Sequence, residues 1–304
     1  MSRKSRLLPY LEIGGFIERS LAVNELILDQ EQVLALLPDR KPEAHKGDFG
    51  KILLLCGCRG YTGAAALAAM GCLRSGAGLV YLAVPECIYD IMAIKVTEPV
   101  VFPMPSKDGT YAVEAVEDLK TLLPKMDAVL IGPGLGQSEG TLAVLTEVMT
   151  NFNGPVVVDA DGLNLLAMHK DLLRRREAST VLTPHEGEFA RLAPKLNAAR
   201  MERAEMFARD HKCILVLKGH KTLITDSKTC YINVTGNPGM AVGGSGDVLA
   251  GIIVGLIGQG IDPIDAAAAA AWLHGAAGDL SAERLGQYSM LPTDLLEDLP
   301  RLMK

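Results

Sequence analysis

The sequence is poor in the features that mark several large classes of protein. Aromatic residues make up 5%, with a single tryptophan. Positive charge is not in excess: 30 Lys and Arg stand against 36 Asp and Glu, a formal net charge of -6. An acidic chain of this kind offers no electrostatic grip on nucleic acid. No stretch reaches the ~20 apolar residues that span a bilayer. The longest, Val248 to Gly258, is too short and reads as a buried core helix. The basic start (Arg3, Lys4, Arg6) runs into Pro9, Glu12 and Glu18 without the apolar segment of a signal peptide. Cysteine is present without pattern. Six are scattered, and the one-residue gap between Cys56 and Cys58 matches no zinc spacing. The reading is reduced thiols in a cytoplasmic protein. Neither G-x-G-x-x-G nor a P-loop occurs.

What the chain has instead is aliphatic bulk and glycine. Its 304 residues are 49% hydrophobic and include 31 glycines. That supplies a large core with tight turns, and α/β folds of this length often form one domain. Residues 1–44 show modest periodicity and end in the charged, Pro-containing "PDRKPEAHKGD". They read as an N-terminal extension and linker to a single domain over 45–304.

From Lys51 the pattern alternates. "KILLLCG", "LVYLAVP", "MDAVLIGPGLG" and "PVVVDADGLNLL" each read as a short buried strand. "TGAAALAAMGCLRSGAG" is a small-residue helix, and "AAAAAAWLHGAAGDL" is a helix by propensity. "STVLTPHEGEFARL" is a strand turning into a helix, and "CILVLKGHKTLITD" is a strand, a basic loop and a second strand. Alternation of this kind predicts a parallel sheet covered by helices on both faces. Ligands of such sheets sit beyond the carboxyl ends of the strands. The unusual loops all fall there: after Leu55, Ile131, Val158, Leu182 and Leu217, and before Asp247.

Several of these loops carry chemistry. "GCRGYTGAA" brings Gly57, Gly60 and Gly63 between a strand and a helix, either for close packing or for close approach to a phosphate. "GPGLG" (Gly132 to Gly136) either admits a ligand to bare backbone or turns the chain. "VVVDADGLN" places Asp159, Asp161 and Asn164 at a strand end. On an extended segment both acids face one side, suited to a hydrated Mg2+ or a ribose, while Asp161 is also a good helix N-cap. In "TPHEGEF", Pro184 presents His185 beside Glu186 and Glu188, either as a structural histidine or, from its place in a turn at a strand end, as a functional one. "LKGHKT" offers Lys218, Gly219, His220, Lys221 and Thr222 to a nucleotide phosphate, or forms a solvated turn. In "GMAVGGSGDVLAG", backbone amides from Gly244 through Ser245 to Gly246 open a helix and form an anion hole. Asp247, one residue on, is placed to take a proton from a hydroxyl as that oxygen attacks phosphorus.

At this point the motifs resemble a known family. "NPGMAVGGSGDVLAG" is similar to the G-(T/S)-G-D segment of ribokinase-like enzymes, whose acid is the catalytic base. Together with "HKGDFGKILLLCGCRGYTGAA", "VVVDADGLNLL" and "TPHEGEFARL", it resembles the ADP-dependent NAD(P)H-hydrate dehydratases from about His45 onward. The resemblance implies a ribokinase-like three-layer α/β/α fold with a mostly parallel sheet. It implies restoration of NAD(P)H from the S epimer of its hydrate, with ADP as co-substrate, Mg2+, and AMP and phosphate as products. Carried over by motif, Asp247 is the base. Lys218 to Thr222 with Gly244, Ser245 and Gly246 hold ADP, and Ala64, Gly136, Asn164 and His185 contact the hydrate. Glu188 keeps the Glu of the related vitamin kinases and is assigned a part in placing Mg2+. The family further implies a homotetramer. Residues 1–44 are too short for the epimerase domain of many relatives, which is expected on a separate chain; "LEIGGFIERSLAVNEL" reads as a linker remnant. Two rivals remain: an ATP-dependent kinase of a small vitamin-precursor alcohol, and a non-catalytic nucleotide sensor. "HKGDFG" and His185 speak against the first, and Asp247 against the second.

Overall fold

The computed structural model describes residues 25–193 and 197–304. Its strands are β1 (Glu25–Leu26), β2 (Lys51–Leu55), β3 (Leu79–Pro85), β4 (Val100–Met104), β5 (Ser106–Lys107), β6 (Thr110–Tyr111), β7 (Ala128–Ile131), β8 (Val156–Val158), β9 (Thr180–Leu182), β10 (Ile214–Leu217), β11 (Thr222–Thr225) and β12 (Cys230–Asn233). Its α-helices are α1 (Gln30–Leu36), α2 (Thr62–Arg74), α3 (Tyr89–Lys95), α4 (Ala115–Leu122), α5 (Glu139–Asn151), α6 (Asp161–Met168), α7 (Asp171–Arg174), α8 (Glu186–Leu192), α9 (Arg200–His211), α10 (Ser245–Gly258), α11 (Pro263–Leu285) and α12 (Pro292–Leu302).

Ten strands form one sheet in the order β1-β12-β11-β10-β9-β8-β7-β2-β3-β4. All pairings are parallel except β10–β11 and β11–β12. The two faces are equally apolar, as a doubly covered parallel sheet requires. Along β2, Ile52 and Leu54 join the core under α2, α10 and α11. Leu53 and Leu55 join the opposite core, with residues of α4 to α9. The three-layer α/β/α arrangement with a mostly parallel sheet expected from the sequence is the one observed.

The apolar run from Val248 is the middle of α10, buried on every side as its composition demands. It lies against α2 at backbone distance. A Cβ on Gly251 would collide with the Ala68 carbonyl oxygen, and one on Gly71 would stand 2.6 Å from the Val248 carbonyl oxygen. Glycine at both positions is therefore what lets the two helices touch.

Residues 25–44 differ from a free linker. β1 pairs parallel with β12, and Val33 of α1 is fully buried in the core. Two strand residues and a seven-residue helix are too short to show a sequence period, but they cover a sheet edge. Most of the linker-remnant reading of residues 11–26 lies outside the described residues. The small β5–β6 hairpin, also unread in the sequence, leans over the first strand–helix loop, where the Arg59 amide donates to the Gly109 carbonyl at 2.8 Å.

Candidate active site

The site assembles where six strand ends and the start of α10 meet. After β8 the chain does not stay extended. Ala160 adopts φ 49°, so Asp159 and Asp161 point apart. Asp161 is not a helix cap, since Ala160 occupies that place. Its carboxylate instead accepts from the Gly136 amide at 2.9 Å and from Gln137 Nε2 at 3.2 Å, fixing the "GPGLG" loop. Asp159 is buried, and its Oδ1 accepts from Thr183 Oγ1 at 2.7 Å and Lys218 Nζ at 2.9 Å.

After β9, His185 caps α8. Its Nδ1 accepts from the amides of Gly187 and Glu188, and Glu188 Oε2 accepts from the His185 amide at 2.8 Å. This reciprocal pair occupies donors that a helix start leaves open. The turn is tied to the next strand end by a 2.8 Å bond from the Lys218 amide to the Pro184 carbonyl. Lys218 Nζ also stands 4.0 Å from Glu188 Oε2. Burial disfavours its charge, but Asp159 and Glu188 outweigh that and raise its pKa.

At α10 the N-cap is Gly244, with φ +100°, a conformation a side chain rarely adopts. The Ser245 amide donates to the Val242 carbonyl at 3.3 Å, whereas those of Gly246 and Asp247 donate to no described protein group. The Gly244 amide is open as well, so of the three amides singled out from the sequence only that of Ser245 is taken up within the protein. Asp247 is partly buried. Burial first, then the Asp159 charge, push its pKa up to about 7 against the pull of Lys218. Its carboxylate thus titrates near neutrality, where a general base is most effective.

Two cavities flank this carboxylate. The first, about 830 Å3, lies among Lys218–Thr222, Asn233–Val242 and Gly243–Asp247, closed at depth by Leu249, Ala271 and His274. The second, about 470 Å3, lies among Gly60, Tyr61, Gly63, Ala64, Leu67, Gly134, Asp161, Asn164 and Glu188. Asp247 borders both, as do Ala160, Gly243 and Gly244.

The structure gathers most of the residues singled out from the sequence. Lys218, Gly219, His220, Lys221, Thr222, Ser245 and Gly246 line the first cavity; Ala64 and Asn164 line the second. His185 borders the first cavity and not the second. Gly136 borders neither; Gly134 does so in its place. Among the described residues no cluster of three acids, histidines or cysteines is arranged as a metal site. Glu188 is half committed to its helix cap, and the Lys218 ammonium lies among the acids. The donor set fits a divalent cation only as one carried by nucleotide phosphates, with a carboxylate at its margin.

Sequence reasoning missed His274, Tyr61 and the segment Asn233–Ala241. His274 of α11 is buried, its Nε2 2.9 Å from the Ser245 carbonyl oxygen and 3.2 Å from Ser245 Oγ. Burial holds its pKa down at about 4, so the ring is neutral. A polar residue inside an alanine-rich helix was the available signal. For Asn233–Ala241 the signal was "NPG", a turn dense enough to bend a strand exit over the site.

A sequence profile described as NAD(P)H-hydrate dehydratase matches residues 52–301. The chain belongs to this NAD(P)H-hydrate dehydratase family. It is 43% identical over 287 residues to a bifunctional NAD(P)H-hydrate repair enzyme Nnr of Moorella thermoacetica, covering 92% of this chain and 54% of the relative. The chain thus spans about half the length of the bifunctional relatives it matches. It is 34% identical over 280 residues to an ADP-dependent (S)-NAD(P)H-hydrate dehydratase of Bacillus subtilis, covering 90% and 96% of the two chains. Among solved structures it resembles a Bacillus subtilis ADP/ATP-dependent NAD(P)H-hydrate dehydratase co-crystallized with ATP/Mg2+. There the TM-score is 0.76 at 32% identity, over 93% of this chain and 98% of the other.

Proposed function

We propose that the chain catalyses the ADP-dependent dehydration of the S epimer of NAD(P)H hydrate, giving NAD(P)H, AMP and phosphate. The observation that carries this reading is the place of Asp247, a carboxylate titrating near 7 on the wall shared by both cavities. The first cavity takes ADP, its phosphates reaching the Lys218–Thr222 loop and the open amides at Gly246 and Asp247. The second takes the hydrated nicotinamide, past Ala64 and Asn164. Glu188 would stand at the margin of a Mg2+ ion carried by the nucleotide phosphates, whose charge the ion would neutralise when bound.

Asp247 removes the proton of the ring hydroxyl, and that oxygen attacks the terminal phosphorus of ADP. The P–O bond to AMP breaks, leaving AMP and a phosphorylated hydroxyl. The ring nitrogen lone pair then expels phosphate, the adjacent carbon loses a proton, and the dihydropyridine is restored. Phosphorylation turns hydroxide into a good leaving group, which explains why a fold shared with kinases suits a dehydration. Supply of the S epimer is left to a separate epimerase activity. The resemblance supports a homotetramer, and six scattered cysteines support a cytoplasmic location.

The direct test is incubation with purified NADH hydrate and Mg2+, with ADP or ATP added in parallel. Return of reduced-nicotinamide absorbance with one AMP released per NADH under ADP is the expected result. No recovery with either nucleotide, together with phosphorylation of a small alcohol by ATP, would move the chain to the kinase reading.

A further inference from the structure

Arg200 opens α9, borders neither cavity and belongs to none of the motifs that suggested the function. Its guanidinium nevertheless holds the loop between β10 and β11. Nη1 donates to the Lys221 carbonyl at 2.9 Å, and Nη2 donates to those of Leu217 and Lys218 at 2.9 and 3.4 Å. Nε donates to the carboxylate of Glu186, the residue after His185. One side chain therefore binds three carbonyls of the basic loop and the turn beside it.

That loop requires such a clamp. Gly219 lies at φ +148° and Lys221 at φ +56°, and a non-glycine residue held there costs about 1–3 kcal/mol. Among the described residues, the side-chain bonds internal to the loop are two, both between Thr222 and Gly219: the Gly219 amide donates to Thr222 Oγ1 at 3.3 Å, and that hydroxyl donates to the Gly219 carbonyl at 3.0 Å. The clamp also has a direction. With the carbonyls turned to Arg200, the amides of His220 and Lys221 donate to no described protein group, and both residues line the first cavity. A planar fork with five donors can satisfy three carbonyls and a carboxylate at once; an ammonium cannot.

We infer that Arg200 is a positioning residue for the nucleotide. It fixes the Lys218–Thr222 loop with its amides toward the first cavity, and Glu186 fixes the guanidinium. This inference rests on the reading of that cavity as the ADP site.

The experiment is calorimetric titration of ADP, and of AMP, into the full chain and into Arg200→Gln, Arg200→Lys and Glu186→Gln. Thermal unfolding of each variant confirms folding, and steady-state kinetics follow. If the loop holds its competent form a tenth as often, the ADP Kd rises about ten-fold. The expected pattern is that rise for Arg200→Gln, most of it for Arg200→Lys and a smaller rise for Glu186→Gln. The KM for ADP follows, while the KM for hydrate and kcat stay within about two-fold. Arg200→Lys keeps the charge, so it still reports on the fork if the glutamine variant fails to fold. Unchanged ADP affinity in the folded variants overturns the inference, as does full rescue by lysine. A parent chain that binds neither ADP nor AMP overturns the cavity reading, and the inference falls with it.

Discussion

Lys218 Nζ lies 2.9 Å from Asp159 Oδ1, and neither side chain is more than 20% exposed. The pair joins the ends of β8 and β10 on the wall of the first cavity. Removing one charge leaves the other buried and unpaired, which typically costs about 3–5 kcal/mol. Asp159→Asn is expected to lose about 3 kcal/mol in urea unfolding, at the low end because Lys218 keeps Glu188 nearby. A loss below about 1 kcal/mol would mean that Lys218 finds solvent instead.

Asp247 predicts two opposite pH effects. As a base it must be ionised, so kcat/KM falls below about pH 7, by about ten-fold per unit at its steepest. Stability runs the other way. Between the ordinary 3.8 and about 7, the folded chain holds the proton more tightly than the unfolded chain. Stability therefore declines as pH rises through that window. Asp247→Asn should lower turnover by about 10²–10⁴-fold while raising Tm at pH 8, with no gain at pH 4. A pH-independent change in Tm would refute the burial argument.

Ala64 tests the division of the site. A leucine there fills space in the second cavity only. The expected outcome is a KM for hydrate raised about ten-fold or more, with ADP affinity within about two-fold. Equal loss of both ligands would show that the cavities are not separate binding regions.

His185 separates capping from contact. Asparagine caps helices well and alanine does not, so His185→Ala should cost about 1 kcal/mol and His185→Asn little. Since the ring borders the first cavity, any kinetic effect of His185→Asn should appear in the KM for ADP. An effect confined to the hydrate would return the residue to the substrate side.

The alternation of apolar runs and glycine loops was enough to read the sheet, its rim and the acid of α10. These are local patterns, because a buried strand and its exit turn are written in adjacent residues. The identities at the rim were legible where a loop is short, as from Lys218 to Thr222. They were not legible where one dihedral decides. Ala160 at φ 49° separates two acids that a straight strand would align. Gly134 and Gly136 stand two apart in one loop, and only the bond from Gly136 to Asp161 shows which one is occupied. His274 acts on a residue 29 positions away and Arg200 on residues 14 to 21 positions away, across contacts that no spacing rule encodes.

The glycine-mediated contact of α2 with α10 has a mechanical consequence. Ala64 stands in the first turn of α2 and Asp247 in the first turn of α10, and the two backbones touch at Gly71 and Gly251 without a layer of side chains between them. Helices in such contact cannot slide past one another, because no side chain can re-rotate to absorb the shift. The span from Ala64 to Asp247 is therefore held rigid, like two jaws cast in one piece. Any closure over the first cavity must be carried by the opposite wall, the β10–β11 loop and the strand exit after Asn233.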